Sequence, residues 1–346
     1  MNDMIRMAVV GVGWAGSHHV EGARELGRKV AVTCLVDRDT DHLQAKAEEF
    51  GIDKTYTDLD DALADPDIDA VSLCTPHPNH GPEAVAAANA GKHVLVEKPM
   101  ALTVEEATRM IDAADRAGVR LYVAESMSYH PMARFLREVV ATGRCIGEVV
   151  SASVSSGFRA RPTYAYPGRR EWLSNPQLGG TGTWMLHGIH TMAMLRYVFG
   201  EVASVYMQEH HARSFQRRDV EGTMTGLLTM DAGFQTTVLQ SCEVKFPNPL
   251  GGYAIFGDKG LLQATQESCI AWSEDNSDQR EELTYPISDL SAFAQEIEDF
   301  ADYVLEGTEG PTSGRSERRS LAIVQAGYES AKSGEIIDLR ERFGEL

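Results

Sequence analysis

Ile5-Arg6-Met7-Ala8-Val9-Val10 runs directly into Gly11-Val12-Gly13-Trp14-Ala15-Gly16, and the reading of these residues decides the fold. The first six are apolar enough for a buried strand of a parallel sheet. The next six place glycine at the first, third and sixth positions, and Ser17 to Leu26 then reads as a helix. Strand, GxGxxG and helix in that order are the context a dinucleotide fingerprint requires. Gly11 permits the tight turn, Gly13 lets a pyrophosphate approach the backbone past Trp14 and Ala15, and Gly16 lets helix and strand pack closely. The pyrophosphate would lie on the helix N-terminus, where unpaired N–H groups point outward.

The next strand, Val30 to Val36, ends in Asp37. An acid about 20 residues beyond the glycines accepts hydrogen bonds from a ribose diol and repels a 2′-phosphate, which favours NAD over NADP. Arg38 beside it could hold that phosphate, so NADP stays open. Further along, Asp69 to Pro76 reads as a buried strand leaving through Thr75-Pro76. A helix from Pro82 to Ala90 follows, with His77 and His80 ahead of it. No acid or cysteine completes a zinc set with these histidines, so they read as loop and cofactor-wall residues, and no metal site is expected.

Val94-Leu95-Val96 then delivers Glu97-Lys98-Pro99 to a strand end. The carboxyl ends of parallel strands are where an open α/β sheet binds its ligands. A lysine placed there can hydrogen-bond or protonate an oxygen, and Glu97 can orient it or adjust its pKa. Thr103-Val104-Glu105-Glu106 reads as a capping box opening a helix to about Ala117, and Leu121 to Ala124 as one more strand. Strands alternating with helices to this point describe a doubly wound parallel sheet.

After Glu125 the rhythm changes to alternating runs: Glu148–Ser155, Ser204–His210, Thr223–Met230, Phe234–Cys242, Tyr253–Phe256 and Leu261–Gln263. Asp231-Ala232-Gly233 and Gly257-Asp258-Lys259-Gly260 are hairpin signals. The expected fold is therefore α/β: a Rossmann domain over 1–124 and an α+β domain over 125–346 with a mostly antiparallel open sheet. Between its strands, Gly179 to Thr183 leads into a long apolar helix carrying His187 and His190 on one face. Histidine exchanges protons near neutral pH, as chemistry at a carbinol carbon needs. Arg159, Arg161, Arg169 and Arg170, interleaved with Tyr164, Tyr166 and Trp172, read either as a solvated or oligomer-forming loop or as a rim for an anionic substrate.

The 346 residues carry 51 acids against 32 bases and a net charge of −19, which argues against nucleic acid or an anionic membrane surface as partner. Five scattered cysteines without a CxxC pair suit reduced thiols. Met1-Asn2-Asp3-Met4 passes into a strand without a secretory apolar region, and no run approaches a membrane span, so a cytoplasmic protein is expected.

Taken together, the Gly11–Gly16 loop, Asp37, Thr75-Pro76 with His80, Glu97-Lys98-Pro99, the Gly179–His190 segment and Ala331-Lys332-Ser333-Gly334 resemble the Gfo/Idh/MocA family of nicotinamide-dependent oxidoreductases. The resemblance implies an NAD(P)-dependent dehydrogenase or reductase acting on a sugar, inositol, sugar acid or related small molecule. It places Lys98 at the nicotinamide ribose and the reacting oxygen, His190 as general acid/base, and His187 in support. The family often has an aspartate four residues before that histidine, where this chain has Leu186. Two other activities share such a fold, an NAD-dependent glycosidase and a non-catalytic NAD sensor. Retention of Lys98 and His190 speaks against the sensor. The second domain's sheet offers more face than its few helices cover, so a homodimer or homotetramer is expected.

Overall fold

The computed structural model describes residues 4–159, 171–175, 181–211, 220–273 and 280–346. These form two compact units, residues 1–129 with 288–321 and residues 130–287 with 322–346. The expected single boundary at 124/125 differs from this division in one main respect. Residues 288–321 return to the first unit. The reason lies on the first helix, α1 (Trp14–Leu26), where Gly22 has no side chain and an added Cβ would meet the backbone of Phe293 and Ala294 at 3.0–3.1 Å. A later helix, Ala292–Leu305, packs there, and its Ile297, Phe300 and Ala301 join the core of Met7, Val9, Val20 and Leu35.

The sheet of the first unit holds β1 (Ile5–Val10), β2 (Val30–Val36), β3 (Thr55–Tyr56), β4 (Ala70–Leu73), β5 (His93–Glu97) and β6 (Leu121–Ala124). All pairs are parallel, in the order β3-β2-β1-β4-β5-β6. The order reverses between β1 and β4, and a ligand crevice opens at the carboxyl ends of the strands flanking such a switch. The turns that meet there are Gly11–Gly16 after β1 and Cys74-Thr75-Pro76 after β4.

Helix ends follow their local chemistry. Thr103 accepts from the Glu106 amide at 3.1 Å, and the Glu106 carboxylate reaches back to the Leu102 amide at 3.0 Å, one residue before the cap. Two expected helix starts differ. Helix α1 begins at Trp14 instead of Ser17. The helix expected from Pro82 runs over His77–Asn89, so His77 and His80 lie in its first turn and Pro82 inside it. Pro82 forfeits one backbone bond there. The turn is held instead by the His80 ring, whose nitrogens lie 2.8 Å from the Pro99 and Thr75 carbonyls.

The second unit is built on a nine-stranded sheet. Its members are β7 (Val149–Gly157), β8 (Val202–His211), β9 (Glu221–Met230), β10 (Gln235–Ser241), β11 (Gly252–Gly257), β12 (Gly260–Ala264), β13 (Cys269–Ser273), β14 (Arg280–Leu283) and β15 (Ile337–Asp338). The order is β14-β13-β12-β11-β7-β10-β9-β8-β15, antiparallel throughout except for the parallel pair β7·β10. The two expected hairpins join β9 to β10, with Gly233 at φ +94, and β11 to β12. Side chains alternate across the sheet. Ala152, Val154, Val238, Leu228, Met224, Ile255 and Leu262 are buried on one face. On the other, the cross-strand neighbours Phe256 and Leu261 are exposed, and Trp272, opposite Leu261, is half-buried. All five cysteines are free thiols, and no helix among the described residues is long and apolar enough to cross a membrane.

Candidate active site

At the switch point, Gly11 has φ +82, and a Cβ there would lie 2.7 Å from the Cys74 carbonyl oxygen. Gly16 would place one 2.2 Å from the Gly11 carbonyl oxygen, so these two glycines are required by packing within the fold. Gly13 differs: an added Cβ meets nothing within 4 Å. Gly13 also caps α1 with no side-chain hydrogen bond and no acid in the first turn, which leaves the positive end of the helix uncompensated. A cradle that the protein leaves open at a bare helix N-terminus fits a pyrophosphate. Trp14 beside it is exposed, its ring edge-on to His18 at 4.3 Å and to Phe293 at 6.0 Å.

Asp37 closes the crevice from the end of β2. It is buried, with Oδ2 accepting from the Val12 amide at 3.1 Å and Oδ1 from the Asp39 amide at 3.1 Å. The acid thus locks the end of β2 to the glycine turn, while Arg38 points to solvent. On the β4 side Thr75 donates to Glu83 at 2.5 Å, and burial pushes Glu83 up to about 7 against the opposing influence of Thr75 and Arg38. His80 is fully buried between two carbonyl oxygens. Desolvation holds its pKa below the ordinary value although those carbonyls favour the cation, so a neutral ring donates to one of them.

Lys98 is half-buried at the end of β5. Its amide donates to Glu97 Oε2 at 3.0 Å, which fixes the carboxylate beside it. Burial lowers the Lys98 pKa, and the charges of Glu97 and Glu125 work against that. Glu125, fully buried just past β6 and bonded to the Met127 amide at 3.1 Å, is pushed up to about 8 by burial. A lysine eased toward neutrality at the carboxyl edge of a parallel sheet can both give and take a proton. The sequence reading did not single out Glu125, which has no motif around it.

In the second unit the expected long helix is an α-helix over Ile189–Phe199 preceded by a π-helical turn, Trp184–Gly188. Such turns recur at functional sites. Trp184 is fully buried, donates to the Val324 carbonyl at 2.9 Å, and lies so close to Gly188 that a Cβ there would be 2.6 Å from its ring. His187 and His190 are half-buried among buried neighbours, their ring centroids 6.3 Å apart, with Phe158 4.2 Å from His187. Leu186 is buried, and its side chain is apolar. The start of this segment is held by Glu221, at the head of β9, which accepts from the Trp184 amide at 2.7 Å and the Tyr328 hydroxyl at 2.9 Å. Tyr328 in turn accepts from the Met185 amide at 3.1 Å. Arg159 is exposed and Trp172 half-buried. The rest of the proposed rim, Arg161, Arg169, Arg170, Tyr164 and Tyr166, lies outside the described residues, as do Gly179 and Gly180.

A six-stranded Rossmann unit with an open pyrophosphate cradle, joined in sequence to a nine-stranded unit bearing a histidine helix, defines a nicotinamide-dependent oxidoreductase. The chain belongs to the Gfo/Idh/MocA family. Residues 5–125 match its oxidoreductase domain with an NAD-binding Rossmann fold, and residues 133–263 match the GFO/IDH/MocA C-terminal domain. The chain is 31% identical to a 1,5-anhydro-D-fructose reductase of Ensifer adhaerens over 261 residues, 75% of either protein. An uncharacterized oxidoreductase of Rhizobium meliloti, ORF334, is 34% identical over 197 residues, and the match spans 57% of either chain. Among solved structures, the WlbA dehydrogenase of Bordetella pertussis in complex with NADH and UDP-GlcNAcA is 26% identical, with a TM-score of 0.80 over 97% of this chain and 98% of that one.

Proposed function

We propose that the protein moves a hydride between NAD(H) and a carbinol or carbonyl carbon of a sugar, inositol, sugar acid or related small molecule. The observation that carries this reading is Lys98, half-buried at the carboxyl end of β5 and fixed beside Glu97. When bound, the nicotinamide supplies the hydride chemistry. Gly11, Gly13, Trp14, Ala15 and Gly16 hold the pyrophosphate, Asp37 the ribose diol, and Thr75, Pro76 and His80 form the wall behind it. NADP remains a weaker alternative through Arg38.

Lys98 donates a hydrogen bond to the substrate oxygen and polarises the C–O bond. In the oxidative direction His190 takes the hydroxyl proton, and in reduction it returns it. With Leu186 buried and apolar, His187 is the polar side chain left to meet a substrate hydroxyl from that turn. An anionic substrate, a cytoplasmic location and a homodimer or homotetramer belong to the same proposal. The exposed pair Phe256 and Leu261 on the outer sheet face supports the last.

Lys98→Ala is expected to lower turnover by about 10²–10³-fold, the range of a lost preorganised donor to the reacting oxygen. NAD affinity, read by quenching of tryptophan fluorescence, should stay within a few-fold. Polyols and sugar acids with NAD, and 1,5-anhydro-D-fructose with NADH, followed at the NADH absorbance, supply the substrate panel. Near-normal turnover in this variant would sink the assignment.

A further inference from the structure

Behind Lys98 lies a buried group that the reaction as proposed does not use. His19, on α1, has no exposed surface. Its Nδ1 lies 2.6 Å from Ser72 Oγ on β4, and the Ser72 hydroxyl has a further partner in Cys74 Sγ at 3.5 Å. The serine can therefore accept from an Nδ1–H while donating to the thiol. The other nitrogen, Nε2, faces two carboxylates, Glu97 Oε1 at 3.4 Å and Glu296 Oε1 at 3.7 Å. Glu296 comes from the helix Ala292–Leu305 and is itself fully buried, with neither oxygen hydrogen-bonded.

We infer that His19 is a positioning residue for Lys98: an imidazolium set beside one oxygen of Glu97 while the Lys98 backbone amide holds the other, so that the carboxylate whose charge supports the Lys98 ammonium also faces a second cation. The inference rests on the reading of Lys98 as the group that polarises the substrate oxygen.

The charges around the pair agree with the geometry. Burial would lower the pKa of His19, yet Cys74, Glu97 and Glu296 raise it well above the ordinary value. Burial pushes Glu296 upward, with Glu97 and Glu125 adding to the rise and His19 opposing it. These directions favour the charged form of His19 beside Glu97 and the neutral form of Glu296. Lys98 then meets Glu97 already engaged by His19, the buried Glu125, and His77 and His80 across from it. A counter-charge used twice supports each cation less, so His19 works with burial to lower the Lys98 pKa, and a more acidic ammonium is the stronger hydrogen-bond donor to the substrate oxygen.

Competitive labelling of the whole protein with acetic anhydride, read at the Lys98 peptide by mass spectrometry over a pH series, tests this without any substrate. His19→Gln removes one cation and leaves Glu97 to Lys98 alone, so the labelling midpoint should rise by about one pH unit, the lower end of the effect of a nearby charge. A midpoint that stays in place or falls would overturn the inference. A merely structural histidine would change the melting temperature and leave that midpoint unmoved. The unsubstituted protein offers a second measurement. Among the eleven histidines, at least one imidazole carbon signal should keep its protonated shift well beyond the pH range in which ordinary histidines titrate. Titration of every histidine within the ordinary imidazole range would refute the fixed cation. The turnover of Lys98→Ala tests the role of Lys98 itself, so the two readings can fail separately.

Discussion

Glu221 allows the most direct test of how the histidine helix is held. Replacing it by glutamine keeps the side-chain oxygen that accepts from the Trp184 amide and removes only the ability to ionise. Burial pushes the carboxyl up to about 7 from an ordinary 4.5, although the Trp184 amide and the Tyr328 hydroxyl favour the anion. A folded-state pKa above the unfolded value means that the folded protein keeps a proton which the unfolded chain has released. The stabilisation is complete below pH 4.5 and is lost as pH rises through 7. The rise from 4.5 to about 7, at about 1.4 kcal/mol for each pH unit, amounts to about 3 kcal/mol. Urea unfolding followed by tryptophan emission at pH 5 and pH 8, on both proteins, measures the effect. Glu83 and Glu125 titrate in the same region and cancel in the comparison. Because the unfolded carboxyl is already mostly ionised at pH 5, the parent should lose about 2.5 kcal/mol more than Glu221→Gln between the two pH values. Equal losses would show that Glu221 does not hold its proton in the folded state, and the account of the helix start would fall with it.

Gly13→Ala should fold with unchanged thermal stability, because its Cβ meets nothing, yet bind NAD at least tenfold more weakly, a change of about 1.4 kcal/mol. Gly16→Ala should instead lower the melting temperature sharply, because its Cβ collides with backbone, and calorimetry beside fluorescence titration separates the two. Asp37→Ala should narrow the preference for NAD over NADP in the same titration; tighter NADP binding by the parent would mean that Arg38 dominates. Light scattering at micromolar concentration should return at least twice the 37.9 kDa chain mass. Phe256→Glu with Leu261→Glu should bring it to a single chain, and a monomeric parent would refute the outer face as an interface.

Much of this protein is written in runs short enough to be read locally. A strand, three spaced glycines and a helix demand one another, because a turn that tight tolerates no side chain at Gly11 and no bulk at Gly16. Alternation with period two, punctuated by Asp231-Ala232-Gly233, specifies a hairpin wherever it stands. Glu97-Lys98-Pro99 is likewise legible, since the end of a buried parallel strand is a ligand edge in any open α/β sheet. The groups that set the charge and hold the geometry were not legible. Glu221 lies 37 residues from the amide it caps, and nothing beside it in the chain marks it as anything but a surface acid. His19 and Glu296 come from opposite ends of the sequence and meet only because Gly22 lets the helix Ala292–Leu305 lie down on α1. The π-turn at Trp184–Gly188 depends on an indole packed against Gly188 and Gly327. Local sequence determines which conformations a segment can adopt, through sterics and periodicity. Which carboxylate ends up buried against which cation depends on the packing of segments far apart in the chain, and only the tertiary structure decides that.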